Sequence, residues 1–290
     1  MSHVQQEIAS QPEHWRTALE ANTADLPLAG ERVAVIGCGT SLYIAQAYAS
    51  LRETAGLGET DAFAASEYPA ARRYDRVVAI TRSGTTTEVL SALGRADGVA
   101  TVAITGDVAT PISTAARSVV DLGFADEKSV VQTRFATTVL ALLRGHLELA
   151  PADLPASGER ALAEPLPEGA ADATQFTFLG AGWTVGLAHE AALKLREASG
   201  SWTESYPAME YRHGPISVTG PDSLVWFFGR PPAGLVDQVR RTGARVSVST
   251  LDPMADLIRA QRLAVELAGL RGLDPDRPRN LTRSIVLAQP

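Results

Sequence analysis

"VAVIGCGTSLYIAQAYA" at residues 33–49 and "FTFLGAGWTVGLAHEAA" at residues 176–192 decide the fold of this 290-residue chain. Each starts as a short apolar run, passes through Gly-x-Gly, and continues with helical spacing. A buried strand that turns sharply into a helix gives that pattern. Outward from the first copy, "RVAVIG" (32–37), "DAFAAS" (61–66), "RVVAIT" (76–81), "VATVAIT" (99–105) and "SVVDLG" (118–123) alternate with helical segments, and "TRFATTVLALLRGHLELA" (133–150) closes the series. Outward from the second, "QFTFLGAGW" (175–183), "SLVWFFG" (223–229) and "RVSVST" (245–250) alternate with helical 184–198, 234–242 and 255–271. Short β-branched runs separated by helices predict parallel strands covered on both faces. The expected class is α/β, with two tandem doubly wound, flavodoxin-like parallel-sheet units.

The predicted boundaries are a helical lead-in at 1–30, a first unit at 31–150, a linker at 151–172 and a second unit at 173–290 ending in a tail that reaches the site. The stretch 151–172, "PADLPASGERALAEPLPEGAAD", is rich in Pro, Ala, Gly and acid, lacks sustained periodicity and reads as a linker with room for one helical turn. The stretch 190–215, "EAALKLREASGSWTESYPAMEYRHGP", reads as a helix running out into a turn-rich loop.

Composition narrows the function. A 45% apolar, 20% charged chain is globular, and a formal charge of −7 without a basic run argues against nucleic-acid or anionic-membrane partners. No apolar run long enough for a membrane span and no secretory leader pattern is visible, so a cytoplasmic protein is expected. One cysteine and five scattered histidines assemble no zinc pattern, and no metal or other cofactor is expected. Cys38, between two glycines at a strand end, reads as an inert small residue.

Two loops suit an anion. In "VIGCGTSLYIA" the Gly37-Cys38-Gly39 turn brings Thr40 and Ser41 to a helix start, where backbone N–H groups and the helix dipole favour negative charge. Leu42 stands where a dinucleotide fingerprint needs its third glycine. In "AITRSGTTTEVL" a buried strand opens onto Thr81, Arg82, Ser83, Gly84, Thr85, Thr86 and Thr87. No lysine follows the glycine, so the loop is no Walker motif. Its hydroxyls and guanidinium fit a phosphate monoester better than a helix cap, which needs one such residue.

"GCGTS" (37–41), "ASEY" (65–68), "TRSGTTTE" (81–88), "ALKLRE" (192–197), "YRHGP" (211–215) and "DRPRNLTRSI" (276–285), in this order, resemble the sugar isomerase (SIS) family of phosphosugar-binding domains. The likeness is nearest to the isomerase half of the glutamine-fructose-6-phosphate aminotransferases. That enzyme's glutaminase half is not among these residues, so use of glutamine by this chain alone is not expected. The resemblance implies that Ser41, Thr81, Arg82, Ser83 and Thr86 hold the phosphate, with Gly39 and Thr40 beside it. It implies Glu197 as the base that moves a proton between C1 and C2. It implies His213 as the ring-opening group, contributed across a homodimer interface. "EKSVVQTRFATT" (127–138) resembles the loop that lines the sugar, with Gln132 in place of a serine. Arg283 stands where the aminotransferases carry lysine.

Lysine at that position can form a Schiff base with a keto sugar; arginine, always protonated, cannot. What remains is general acid–base chemistry on a hexosamine-6-phosphate, either glucosamine-6-phosphate or its N-acetyl form. Ring opening and C2 proton abstraction then give isomerisation or deamination. C2–C3 elimination on an N-acetylated sugar, as in a dehydratase or etherase, is the alternative, and a non-catalytic phosphosugar sensor is the second. On spacing alone, Glu190 and Lys194 are an ordinary surface pair, His189 is structural, and Trp183 and Trp202 belong to packing or an interface. Glu67 and Glu210 carry no assigned role.

Overall fold

The apolar runs form two parallel sheets in the computed structural model, which describes residues 1–287. β1 (Val33–Gly37), β2 (Thr60–Ala64), β3 (Arg76–Thr81), β4 (Ala100–Thr105) and β5 (Ser118–Asp121) lie in the order β2-β1-β3-β4-β5. Val35 of β1 stands opposite Ala62 of β2 and Val78 of β3, and all neighbours run parallel. β6 (Gln175–Gly180), β7 (Thr203–Pro207), β8 (Ser223–Phe227) and β9 (Arg245–Val248) form a second parallel sheet in the order β7-β6-β8-β9. The α/β class and the doubly wound topology are those expected.

β7 is the strand that the sequence reading placed in a loop. Its residues, "TESYP", are half-exposed and pair only with β6 at the sheet edge. An edge strand with one neighbour has no need of the continuous apolar run that marks a central one, and its terminal proline fits an edge.

The described helices are α1 (His3–Leu19), α2 (Thr40–Thr54), α3 (Thr87–Gly94), α4 (Ile112–Ala115), α5 (Arg134–His146), α6 (Leu154–Ala163), α7 (Thr184–Ser199), α8 (Leu235–Arg241) and α9 (Pro253–Leu270). Alternating residues of each strand face opposite layers. Ala34, Ile36, Val77, Ala79 and Ala103 pack with Val89, Leu93 and Ile112 of α3 and α4, while α2 covers the other face of β1 and β3. In the second sheet, Leu179, Val225 and Phe227 meet Leu235 and Val239 of α8.

The two opening stretches impose the same corner. A Cβ at Gly37 would lie 2.7 Å from the Ser41 carbonyl carbon, and one at Gly180 would lie 2.2 Å from the Thr184 carbonyl oxygen. Gly39 and Gly182 follow at φ 54° and 56°, a left-handed region that only glycine occupies cheaply.

The described chain groups into two units that interleave in sequence: 13–128, 134–151 and 282–287 hold the first sheet, and 1–12, 129–133 and 152–281 hold the second. The contiguous ranges 31–150 and 173–290 read from sequence differ from this grouping at the N-terminal residues, the loop 129–133 and the tail. The stretch 151–172 is also more ordered than a linker, since α6 is a ten-residue helix. Arg262 Nη1 donates to the carbonyls of Ala161 (2.8 Å) and Glu164 (2.6 Å), so α9 caps the end of α6. α1 continues through Pro12, whose missing N–H strands the carbonyl of Ile8. Gln11 Nε2 donates to that oxygen at 3.2 Å and offsets the loss.

Candidate functional site

In a sheet of order β2-β1-β3-β4-β5, the chain reverses direction between β1 and β3, and the loops at their carboxyl ends flank the crevice where such folds bind ligands. Gly39, Thr40 and Ser41 follow β1, and Thr81 ends β3 with Arg82 to Thr86 following it, so the carboxyl ends of adjacent strands of the first sheet carry the residues expected to hold phosphate. The Thr40 and Ser41 side chains are buried at the start of α2. In the second loop, Thr81 Oγ1 accepts from Gly84 N at 3.3 Å and Ser83 Oγ accepts from Thr85 N at 3.3 Å. Those hydroxyls shape the turn, while Thr86 makes no side-chain capping bond to α3.

Arg82 points inward. Its Nη1 lies 4.0 Å from Glu127 Oε2, both side chains almost fully buried, and its Nη2 donates to the Arg283 carbonyl at 3.1 Å. Glu127 Oε1 also accepts from Arg134 N at 2.7 Å, at the start of α5. A guanidinium so engaged spends its charge inside the unit. The tail lies along the same loop: Thr85 Oγ1 and Ser284 Oγ are 2.8 Å apart, Thr87 N donates to Ile285 O at 3.1 Å, and Leu287 N donates to Thr87 Oγ1 at 2.9 Å. Arg283 is tied to Asp126 at 2.5 Å and donates to the Glu127 carbonyl.

Cys38 sits at the same corner. Burial pushes its thiol pKa up, the Glu88 carboxylate adds to that, and a backbone hydrogen bond at Ala65 opposes it. The group is held as a thiol, and nucleophilic catalysis needs a thiolate.

The second unit holds Glu197, in the last turn of α7 on the wall of a cleft of about 670 Å³. The cleft runs between the end of α7 and the segment 272–281, and Arg196, Asp274, Arg277, Arg279 and Asn280 also line it. Glu197 Oε2 lies 2.5 Å from Lys194 Nζ, which is itself 3.5 Å from Glu190 Oε1. The Glu190 and Lys194 side chains are 0% and 1% exposed, against 19% for Glu197. The surface-pair reading is corrected by that burial. Residues 187, 190, 191, 194, 195 and 198 form the helical stripe that packs inward, so the two charges lie within an apolar face. Glu197 is the member of the array that meets the cleft.

His213 ends the short 3-10 turn Glu210–His213; it is exposed and absent from the lining of the Glu197 cleft. Gln132, in the loop 129–133, places its Oε1 out of solvent without a hydrogen-bond partner. His189 bonds to Ser205 Oγ at 2.9 Å, and burial, followed by the Arg196 charge, lowers its pKa. Trp202 is 80% exposed beside β7. The sequence reading passed over Glu127 and Asp126 and took Lys194 for a surface cation. For Lys194 the signal was present, as an i, i+4, i+7 charge row inside the apolar stripe of α7.

Two parallel sheets, the first with hydroxyl-rich loops at its topological switch, define a doubly wound α/β protein. Residues 29–144 match the family model of the SIS domain. It is 30% identical, over 89% of its length, to a glutamine-fructose-6-phosphate aminotransferase (isomerizing) of Methanothermobacter thermautotrophicus, of which 52% is covered. The chain spans about half the length of the curated relatives it matches. The fold is similar to that of a glucosamine-6-phosphate deaminase from Thermotoga maritima, with TM-score 0.82 and 23% identity over 99% of this chain and 100% of that one. It is equally similar to the C-terminal domain of a glucosamine-fructose-6-phosphate aminotransferase from Francisella tularensis, with TM-score 0.82 and 20% identity over 96% and 98% of the two chains.

Proposed function

We propose that the protein is an enzyme of hexosamine-6-phosphates that opens the sugar ring and moves the C2 proton, with isomerisation and deamination as the outcome. One observation carries this reading: Glu197 presents a carboxylate to a sugar-sized cleft while a buried ammonium fixes it from behind. A base must be held in one position and still reach its proton, and this arrangement meets both demands. The Oε2 edge is oriented by Lys194, leaving Oε1 to work at C1 and C2.

Ser41, Thr81, Ser83 and Thr86, with Thr40 and Gly39, are proposed to bind the phosphate through hydroxyl and backbone N–H groups. Arg82, turned inward onto Glu127 and the Arg283 carbonyl, is left out of that set. Gln132 offers a desolvated amide oxygen to a sugar hydroxyl or to the C2 nitrogen. His213 is proposed to open the ring in the site of a second copy of the chain. Its exposure supports that role, as do the exposed apolar side chains of Trp202, Met209 and Val218 close by in sequence. Arg283, paired with Asp126, cannot form an imine, so the substrate carbonyl stays free to take part in proton transfer.

The reaction proposed for glucosamine-6-phosphate starts with ring opening to the aldehyde. Glu197 takes the C2 proton, giving an enediol-like enolamine, and returns a proton to C1. The resulting 2-imine adds water and releases ammonia, leaving fructose-6-phosphate. Products followed by mass and ammonia assay test this. Ammonia release abolished by Glu197→Gln supports it; full activity of Glu197→Gln refutes the base assignment. Loss of water from N-acetylglucosamine-6-phosphate would instead identify the elimination.

A further inference from the structure

The first twelve residues group with the second sheet although more than a hundred residues separate them from it. Their contacts explain why. Glu7, 4% exposed, accepts from Ser129 N at 3.2 Å with one oxygen and from Ser129 Oγ with the other. Gln11 Nε2 donates to Gln261 Oε1 of α9 at 2.6 Å, in the interior. Asp276 accepts from His3 N at 2.8 Å and from Val4 N at 2.7 Å, and so caps α1 from the far end of the sequence. Its own carbonyl accepts from Val130 N at 3.2 Å. Ser129 Oγ also reaches the Val131 carbonyl at 2.7 Å.

Residues 3–12 of α1, the loop 129–133 and the cleft wall 272–281 are therefore joined by hydrogen bonds within one unit. Gln132 stands in that loop, and no protein donor orients its buried amide oxygen. The backbone that carries it is held at Ser129 by Glu7 and at Val130 by Asp276. Replacing a buried carboxylate that takes two bonds from one residue releases the anchor at Ser129.

We propose that the N-terminal helix is a positioning element of the sugar site, with Glu7 as the positioning residue that fixes loop 129–133 and, through it, Gln132. This rests on the sugar-binding role proposed for Gln132. Glu7 touches no substrate in this scheme; it acts through Ser129.

The test is a double-mutant cycle on the full chain with glucosamine-6-phosphate as the probe, read as KM and kcat and as the calorimetric Kd. Gln132→Ala and Glu7→Ala are each expected to raise KM about 3- to 10-fold, the range of one lost hydrogen bond, with kcat changed less than about 2-fold. The double variant is expected to bind no more than about 2-fold worse than Gln132→Ala, because both remove the same contact. Glu7→Gln, which keeps an acceptor for Ser129 N–H, is expected to recover most of the loss. Ser129→Ala deletes a bond without removing a charge and repeats the cycle from the loop side should Glu7→Ala fold poorly. Without sugar, Glu7→Ala is expected to accelerate amide hydrogen exchange across 129–133.

Losses that multiply in the double variant, or a Glu7→Ala protein with lower melting temperature and unchanged KM, would overturn the positioning role alone. Unchanged exchange across 129–133 would do the same. Wild-type protein that binds no glucosamine-6-phosphate would overturn the proposed function and this inference together.

Discussion

Replacing Lys194 by methionine should damage the fold and the site in separable ways. Lys194 Nζ sits 3.5 Å from Glu190 and 2.5 Å from Glu197, and of the three only Glu197 has appreciable access to water. With an effective dielectric of about 20, these contacts are worth about 5 kcal/mol with Glu190 and about 7 kcal/mol with Glu197 of Coulomb attraction, set against desolvation costs of similar size. The net worth of the array is therefore small. Its broken form is costly, because Lys194→Met leaves the Glu190 carboxylate buried without its cation, at about 3–5 kcal/mol. Melting of the unit that carries α7 should fall by roughly 10 °C, taking about 2–4 °C per kcal/mol. Glu190→Leu combined with Lys194→Met removes the stranded charge and should recover at least half of that loss in a thermal scan. It should not recover activity, since Glu197 has lost the group that orients it. A Lys194→Met protein within about 1 kcal/mol of wild type, or a double variant no more stable than the single, would refute the buried-array account.

Gly37→Ala would drive a methyl group into the backbone at Ser41, so urea denaturation should show a loss of about 2–4 kcal/mol, and calorimetry should show no binding of glucosamine-6-phosphate. Acidification should weaken the fold: burial holds the pKa of His146 and of His189 below 6.5, so the unfolded chain takes up those protons first. Their contribution is whole above pH 6.5 and drains away as the pH falls below it, and a His189→Gln variant should show a flatter decline of the urea midpoint between about pH 7 and 5.5. Arg283→Lys, in the presence of fructose-6-phosphate and borohydride, should give a covalent adduct on Lys-containing peptides of the tail, whereas the native protein should give none there.

The central strands were legible because both of their faces are buried, which demands apolar runs such as "RVVAIT" and "SLVWFF". The Gly-x-Gly corners were legible for a different reason. Only glycine tolerates the approach of Ser41 or Thr184, so the constraint is written into one residue. β7 was not legible, since an edge strand with one partner is specified by its neighbour β6 more than by its own composition. α6 was hidden in the same way: carbonyls capped by Arg262 from a hundred residues away leave no local signal. In the site, the hydroxyl loops announced themselves, but the inward turn of Arg82 did not. Whether a guanidinium faces a ligand or a buried carboxylate depends on Glu127, a residue in another loop. The interleaving of 1–12 and 129–133 with the second sheet likewise depends on long-range pairs, of which Glu7 with Ser129 and Asp276 with the start of α1 are the clearest.

The central claim is proton abstraction at C2 by Glu197, and proton NMR of glucosamine-6-phosphate in heavy water tests it most directly. The account predicts that the C2 proton signal is lost with the wild-type protein, that ammonia appears with it, and that Glu197→Gln leaves the signal intact. A wild-type protein that binds the sugar phosphate and never exchanges that proton would contradict the account and mark the chain as a sensor.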